Sequence, residues 1–242
     1  MTAPKCRPLS REEVRSLDVL AADEFALSTL VLMENAGRGA ADRLAALAGD
    51  AGGGEPRVLI VCGPGNNGGD GGVVARHLDA RGWPVSLVWF APLDAIRGDA
   101  RAQWEILERS EVPQRDWFDA APEGSVPDPA ALDALFAGAD WVVDALLGTG
   151  LTRPLEGAFR AVVEAMNRSG KPILALDIPS GLDADSGEPL GAAVRARATA
   201  TFAARKLGFD APGASAYTGE VAVVDIGLPG KLLRRFHADP PL

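Results

Sequence analysis

The chain has 242 residues, 47% of them apolar and 24% charged, a balance that suits one large packed α/β domain and excludes a disordered chain. Its net charge of −9 excludes nucleic acid or an anionic membrane as the main binding surface. Cys6 and Cys62 are the two cysteines; no structural disulfide is expected, and a reducing, cytoplasmic setting fits.

No apolar run reaches the length of a membrane span, and the start lacks the apolar core of a signal peptide. Ser10-Arg11-Glu12-Glu13 is a capping-box pattern and predicts a helix to about residue 22. Ser28 caps a longer second helix to about residue 47, with Leu32, Ala36, Gly39 and Ala40 at helical spacing. Residues 49–56 read as a glycine-rich linker. Strand 57–62 follows, then a glycine-rich loop and a helix over 72–80. A strand at 85–90 leads to a helix at 94–109, with Trp104 and Leu107 on its apolar face. Residues 111–128, rich in proline and acids, read as a surface loop. A short helix at 129–137 places Pro129 early, where it is tolerated. Then come strand 141–146, helix 155–167, and strands 173–177, 198–203 and 221–226. Short apolar strands alternating with amphipathic helices mean a parallel sheet covered on both faces. The expected organisation is a single domain over 1–242, with the helices of residues 1–50 packed on the α/β core and 230–242 as a tail.

In an open parallel sheet, ligands bind beyond the carboxyl ends of the strands. Three strands here end in polar, glycine-rich loops. The first, Gly63-Pro-Gly-Asn-Asn-Gly-Gly-Asp70, matches the G-x-G-x-x-G spacing, a weak signal alone. A hydride-transfer Rossmann site also needs an acid after the second strand to hold a ribose. Leu87-Val-Trp-Phe-Ala-Pro92 supplies none, so a nicotinamide-dependent oxidoreductase is disfavoured. No Gly-Lys-Ser/Thr follows, which excludes a Walker loop.

The second loop carries Asp144 and then Gly148-Thr149-Gly150-Leu151-Thr152-Arg153-Pro154. Its backbone amides suit an anion and Arg153 suits a phosphate. Asp144 ends an apolar strand, where a carboxylate needs a metal ion or a hydrogen-bond donor. The third loop is Asp177-Ile-Pro-Ser-Gly-Leu-Asp-Ala-Asp185. Asp177, at a strand end facing a cleft, is a candidate general acid/base; the bland alternative is a loop organiser. Asp183 and Asp185 read as turn and capping residues. Asn67, Asp144 and Ser180 together offer one carboxylate and neutral oxygens. That set suits a weakly held monovalent cation better than zinc or another divalent ion.

Five segments together resemble the NAD(P)H-hydrate epimerase family, also called the YjeF N-terminal domain. They are Leu32-Met-Glu-Asn-Ala-Gly37, Gly63-Pro-Gly-Asn-Asn-Gly-Gly-Asp-Gly71, Asp144 with Gly148–Pro154, Asp177–Asp185, and Asp225-Ile-Gly-Leu-Pro229. The resemblance implies a Rossmann-like three-layer α/β/α sandwich with a mostly parallel central sheet, and a homodimer. It implies NADH or NADPH hydrated at C6 of the nicotinamide ring as substrate, with the R and S forms interconverted. A separate dehydratase specific for the S form is the implied pathway partner. By position, Asn66, Asn67, Gly68, Gly69, Asp70, Gly148, Thr149, Gly150, Leu151, Thr152, Arg153, Pro154 and Asp177 are implied substrate contacts, with Asp177 catalytic. Asn67, Asp144 and Ser180 are implied ligands of one potassium ion (K+) per subunit. The segment 201–208 fits the family's late strand and loop, which lets Lys206 face the site, though no role is assigned to it. Bacterial relatives are often fused to the dehydratase; this chain ends at Leu242, so none is expected within it. The competing reading is a non-catalytic nucleotide-binding or scaffold domain, against which Asn67, Asp144, Asp177 and Ser180 argue.

Overall fold

The computed structural model describes residues 6–49, 55–119 and 125–237. Parts of the expected linker, of the loop at 111–128 and of the tail lie outside these. The strands are β1 (Val58–Cys62), β2 (Val85–Trp89), β3 (Gln114–Asp116), β4 (Trp141–Ala145), β5 (Ile173–Leu176), β6 (Ala198–Phe202) and β7 (Glu220–Val224). They form one sheet in the order β3-β2-β1-β4-β5-β6-β7, and every neighbouring pair is parallel. The helices are α1 (Arg11–Phe25), α2 (Thr29–Gly49), α3 (Asn66–Asp79), α4 (Gly98–Arg109), α5 (Pro129–Ala137), α6 (Gly157–Arg168), α7 (Ser215–Thr218) and α8 (Gly230–Leu233).

The strands alternate between two cores, as a sheet buried on both faces requires. Ile60, Trp89, Val143 and Leu174 meet Leu44, Val74 and Leu107 of α2, α3 and α4. On the other face, Val61, Val142 and Ala175 meet Phe136, Val162 and Met166 of α5 and α6. The result is the expected three-layer α/β/α sandwich. Strand order reverses between β1 and β4, so the loops leaving these strands diverge and open a crevice there.

Four local differences from the sequence reading have physical causes. The edge strand β3 lies inside the stretch expected as loop; Gln114, Arg115 and Asp116 lack the apolar run of a central strand, as partly solvated edges often do. The helix expected from residue 94 starts at Gly98, because Ile96 is extended and Gly98 has φ of 58°. Residues 230–236, expected as tail, form α8 and a 3-10 turn that bury Leu232 and Phe236. The fourth difference concerns α3, which begins at Asn66 rather than near residue 72. Its glycines sit in a helix, not in a flexible loop.

Those glycines are there for close packing. A Cβ on Gly68 would lie 2.0 Å from the Gly63 carbonyl oxygen, and one on Gly71 2.6 Å from the Ala145 Cβ. A Cβ on Gly69 would meet the Met33 side chain and one on Gly72 the Gln103 side chain. The first two turns of α3 are thus wedged between strand ends and α2 and α4. This compensates the roughly 1 kcal/mol that each helical glycine costs relative to alanine.

Candidate active site

A cleft of about 560 Å³ opens beyond the carboxyl ends of β1, β4 and β5, within the usual range for a small-molecule site. One wall is the start of α3, with Asn66, Asn67 and Asp70. Another is the loop after β4, Leu146 to Arg153. Asp177 and Phe202 form the floor, and Val14, Asp18, Thr29 and Met33 of α1 and α2 close the remaining side. The three polar strand ends singled out in the sequence therefore converge. Gly68 and Gly69 lie behind the cleft wall, buried in α3, and Pro154 lies beyond the rim.

Each wall is held by backbone. The Gly63 amide donates to the Ala145 carbonyl at 3.0 Å, which pins the β1 exit to the β4 exit. Gly65 ends the turn and caps α3 without a side-chain hydrogen bond. The first amides of α3 therefore point into the cleft, with the positive end of the helix dipole behind them. That is a ready seat for a phosphate. Asn35 of α2 donates to the Ile226 carbonyl at 2.9 Å, which ties α2 to the chain leaving β7. This bond accounts for the asparagine in Leu32-Met-Glu-Asn-Ala-Gly37.

Behind the wall, Asp144 is fully buried and accepts from the Ser180 amide at 2.8 Å and the Ser180 hydroxyl at 2.6 Å. The Leu146 amide adds a third donor at 3.2 Å. Burial pushes the Asp144 carboxyl up to about 6, and these hydrogen bonds pull against it. Ser180 Oγ also accepts from the Leu147 amide at 2.8 Å. Next to Leu147, a Cβ on Gly148 would lie 3.6 Å from Asn67 Cβ and 3.7 Å from Asp177 Oδ2. So Asn67 and Asp177 flank the same bare stretch of backbone. Asn67 is buried, and among the described residues neither Oδ1 nor Nδ2 has a hydrogen-bond partner. Two orphaned polar atoms on one buried side chain are costly and point to a ligand. With Asp144 and Ser180 the donor set is one carboxylate, one amide and one hydroxyl. No group of three or more His, Cys, Asp or Glu suited to a metal exists among the described residues. These hard oxygens fit a monovalent cation and not a zinc-type ion.

Asp177 follows β5 in the left-handed region, with φ of 62°. Its Oδ1 lies 2.5 Å from Lys206 Nζ and accepts from the Phe202 amide at 3.3 Å. Three more carboxyls line the cleft, those of Asp18, Asp70 and Asp99. Burial, then the charge of Asp177, push Asp18 up to about 6. Burial, then Asp177 and Asp18, push Asp70 well above the ordinary carboxylate range. The site can therefore hold a proton near neutral pH while also presenting Asp177, the arrangement expected of acid/base chemistry.

Asp18 is absent from the sequence reading of the site, and Lys206, which that reading lets face the site without a role, contacts Asp177 from outside the cleft. Each is far in sequence from the three loops, and no local pattern singles out an acid on the buried side of α1. Asp183 and Asp185 do act as turn and cap residues. Asp183 accepts from the Asp185 and Ser186 amides at 2.9 Å, and Asp185 accepts from the Arg11 amide at the start of α1 at 2.7 Å. Arg153 is exposed at the rim and makes no ion pair among the described residues. After β2, the residue that reaches the cleft is Asp99 at the start of α4, whose carboxylate accepts from the Thr29 hydroxyl.

Fold and cleft define a Rossmann-like α/β domain built to hold a nucleotide-sized molecule against carboxyl groups. The chain belongs to the YjeF-related protein N-terminus family, whose model matches residues 29–208. It is 43% identical to the NAD(P)H-hydrate epimerase of Rhodopirellula baltica, over 95% of this chain and 88% of that protein. It is 41% identical to the bifunctional NAD(P)H-hydrate repair enzyme Nnr of Thermofilum pendens, over 91% of this chain and 40% of that protein. Among solved structures, yeast ynu0 superposes with a TM-score of 0.70 at 23% identity, covering 84% of this chain and 82% of that one. That likeness bears on the fold alone.

Proposed function

We infer that this protein is an NAD(P)H-hydrate epimerase, interconverting the R and S hydrates at C6 of the nicotinamide ring. Its near full-length similarity to a protein of that name carries the reading. The cleft supports it, since an amide-rich helix start suits the dinucleotide phosphates and carboxyls wait where a ring could lie. C6 of the hydrate is a hemiaminal carbon. The ring nitrogen's lone pair expels the C6 hydroxyl, which leaves as water once protonated. Water then adds to the opposite face of the cationic ring and gives up a proton. Asp177 takes the proton from the incoming water, and the buried carboxyl of Asp70 supplies the one that leaves. Proton return between them through cleft water closes the cycle. Purified R-hydrate with an S-specific dehydratase is the test: adding this protein should speed hydrate consumption. No acceleration in potassium-containing buffer sinks the reading.

Asn67, Asp144 and Ser180 would hold one K+ per subunit. The ion would supply fixed positive charge beside the loop after β4 and order it. Chloride salts of K+ and Li+ at equal ionic strength should separate the two cases: K+ raises the melting temperature by a few degrees, and Asn67→Ala removes the difference. Equal melting in both salts would dismiss the ion. The same reading carries a homodimer, checked by sedimentation mass, a separate dehydratase acting on the S-hydrate, and a cytoplasmic setting. No helix among the described residues is long and apolar enough to cross a membrane.

A further inference from the structure

Among the described residues Lys206 is the only buried lysine, and its side chain is 0% exposed. It does not line the cleft. A buried ammonium is costly unless all its protons are matched, and here three oxygens surround it. Nζ donates to the Phe202 carbonyl at 3.0 Å and to the Ala204 carbonyl at 3.3 Å. The third oxygen is Asp177 Oδ1, at 2.5 Å. The lysine is held from behind by the N-terminal segment. Leu9, itself 0% exposed, bridges to Lys206 as a short parallel strand pair. Leu9 N donates to the Arg205 carbonyl at 2.8 Å, and Leu207 N donates to the Leu9 carbonyl at 2.9 Å.

The consequence for Asp177 is asymmetric. Oδ1 faces the ammonium and the Phe202 amide, whereas Oδ2 faces the backbone of Gly148 and the cleft. Lys206 thus sets an ammonium directly behind Asp177, in a cleft that Asp18, Asp70 and Asp99 also line. We propose that Lys206 is a positioning residue for the epimerisation: it anchors Asp177 through Oδ1 and so aims Oδ2 into the cleft, at the water that adds to C6. This rests on the epimerase reading and adds to it a residue outside the substrate cleft.

A double-mutant cycle on kcat tests the proposal. Lys206→Met alone should lower kcat about 100-fold or more. If the lysine acts through Asp177, adding Lys206→Met to Asp177→Asn should change kcat by less than about threefold. The double variant buries no unpaired charge, so it should melt no lower than Asp177→Asn. A lysine that merely supports the fold predicts the opposite, a further loss of both rate and stability in the Asp177→Asn background. Should Lys206→Met alone not fold, the comparison of the double variant with Asp177→Asn decides. A single Lys206→Met variant within threefold of wild type overturns the proposal. So does a further tenfold loss in the Asp177→Asn background. A wild-type chain inactive on the hydrate overturns the epimerase reading itself, and the positioning role with it; an active wild type with a silent Lys206→Met overturns only the latter.

Discussion

Asp177→Asn should slow hydrate epimerisation by about 10²–10⁴-fold, the usual contribution of a positioned acid/base group. The substitution keeps shape and an acceptor oxygen for Lys206 Nζ and the Phe202 amide. What it removes is the ability to take a proton from water. Stability should also fall, because the buried Lys206 loses its counter-charge. With a neutral acceptor still in place, that loss is expected at about 1–3 kcal/mol. It stays below the 3–5 kcal/mol typical of a buried pair broken outright. The left-handed backbone at Asp177 favours asparagine among replacements, since aspartate and asparagine are the non-glycine residues that tolerate it best. Circular dichroism separates misfolding from lost chemistry. A folded Asp177→Asn protein with near-normal turnover in the coupled dehydratase assay would remove Asp177 from the reaction and shift attention to Asp70.

The parts of this site legible in the sequence are those that local chemistry writes locally. Apolar runs stopping at Gly63, Asp144 and Asp177 mark strand ends, and parallel strands bring such ends to one edge. The capping box at Ser10 and Glu13 is present in both directions, because its two hydrogen bonds need only residues three apart. What could not be read is made by distance. Asp18 comes to the cleft on α1 with no short-range pattern to announce it, and the sequence lets Lys206 face the site but does not show that it pairs with Asp177. The start of α3 at Asn66 differs from the sequence expectation for a related reason. Asn-Asn-Gly-Gly-Asp-Gly-Gly has the composition of a loop, and only the neighbours of each glycine reveal why a helix needs them. Local propensity argued for a loop and tertiary packing overrode it.

That override sets up the second large effect, at Gly68. Helix propensity alone predicts that Gly68→Ala stabilises α3 by about 1 kcal/mol. The structure predicts the reverse. A Cβ there would lie 2.0 Å from the Gly63 carbonyl oxygen and 3.0 Å from its carbon. These are backbone atoms, and Gly63 cannot retreat. Its amide is bonded to the Ala145 carbonyl at 3.0 Å, and its own Cα already abuts the Leu146 carbonyl, 1.8 Å from where a Cβ would sit. Three backbones (the exits of β1 and β4 and the first turn of α3) are in contact with no side chain to absorb the strain. Relief requires moving α3 away from the sheet, at the upper end of overpacking costs or above, about 3 kcal/mol. For a chain of this size that is a fall in melting temperature of roughly 6–12 °C. Gly65→Ala is the control, since no atom lies within 4 Å of its Cβ position and its φ is −96°; its melting temperature should hardly move. A Gly68→Ala variant as stable as wild type would show that α3 can slide. If it cannot, the folded fraction should still lose turnover, because Asn66, Asn67 and Asp70 ride on the displaced turn and misplacement by about 1 Å is worth roughly 10²-fold in rate. Loss of rate exceeding loss of folded protein would therefore place the function of these glycines in aligning α3 with Asp177, beyond their part in stability.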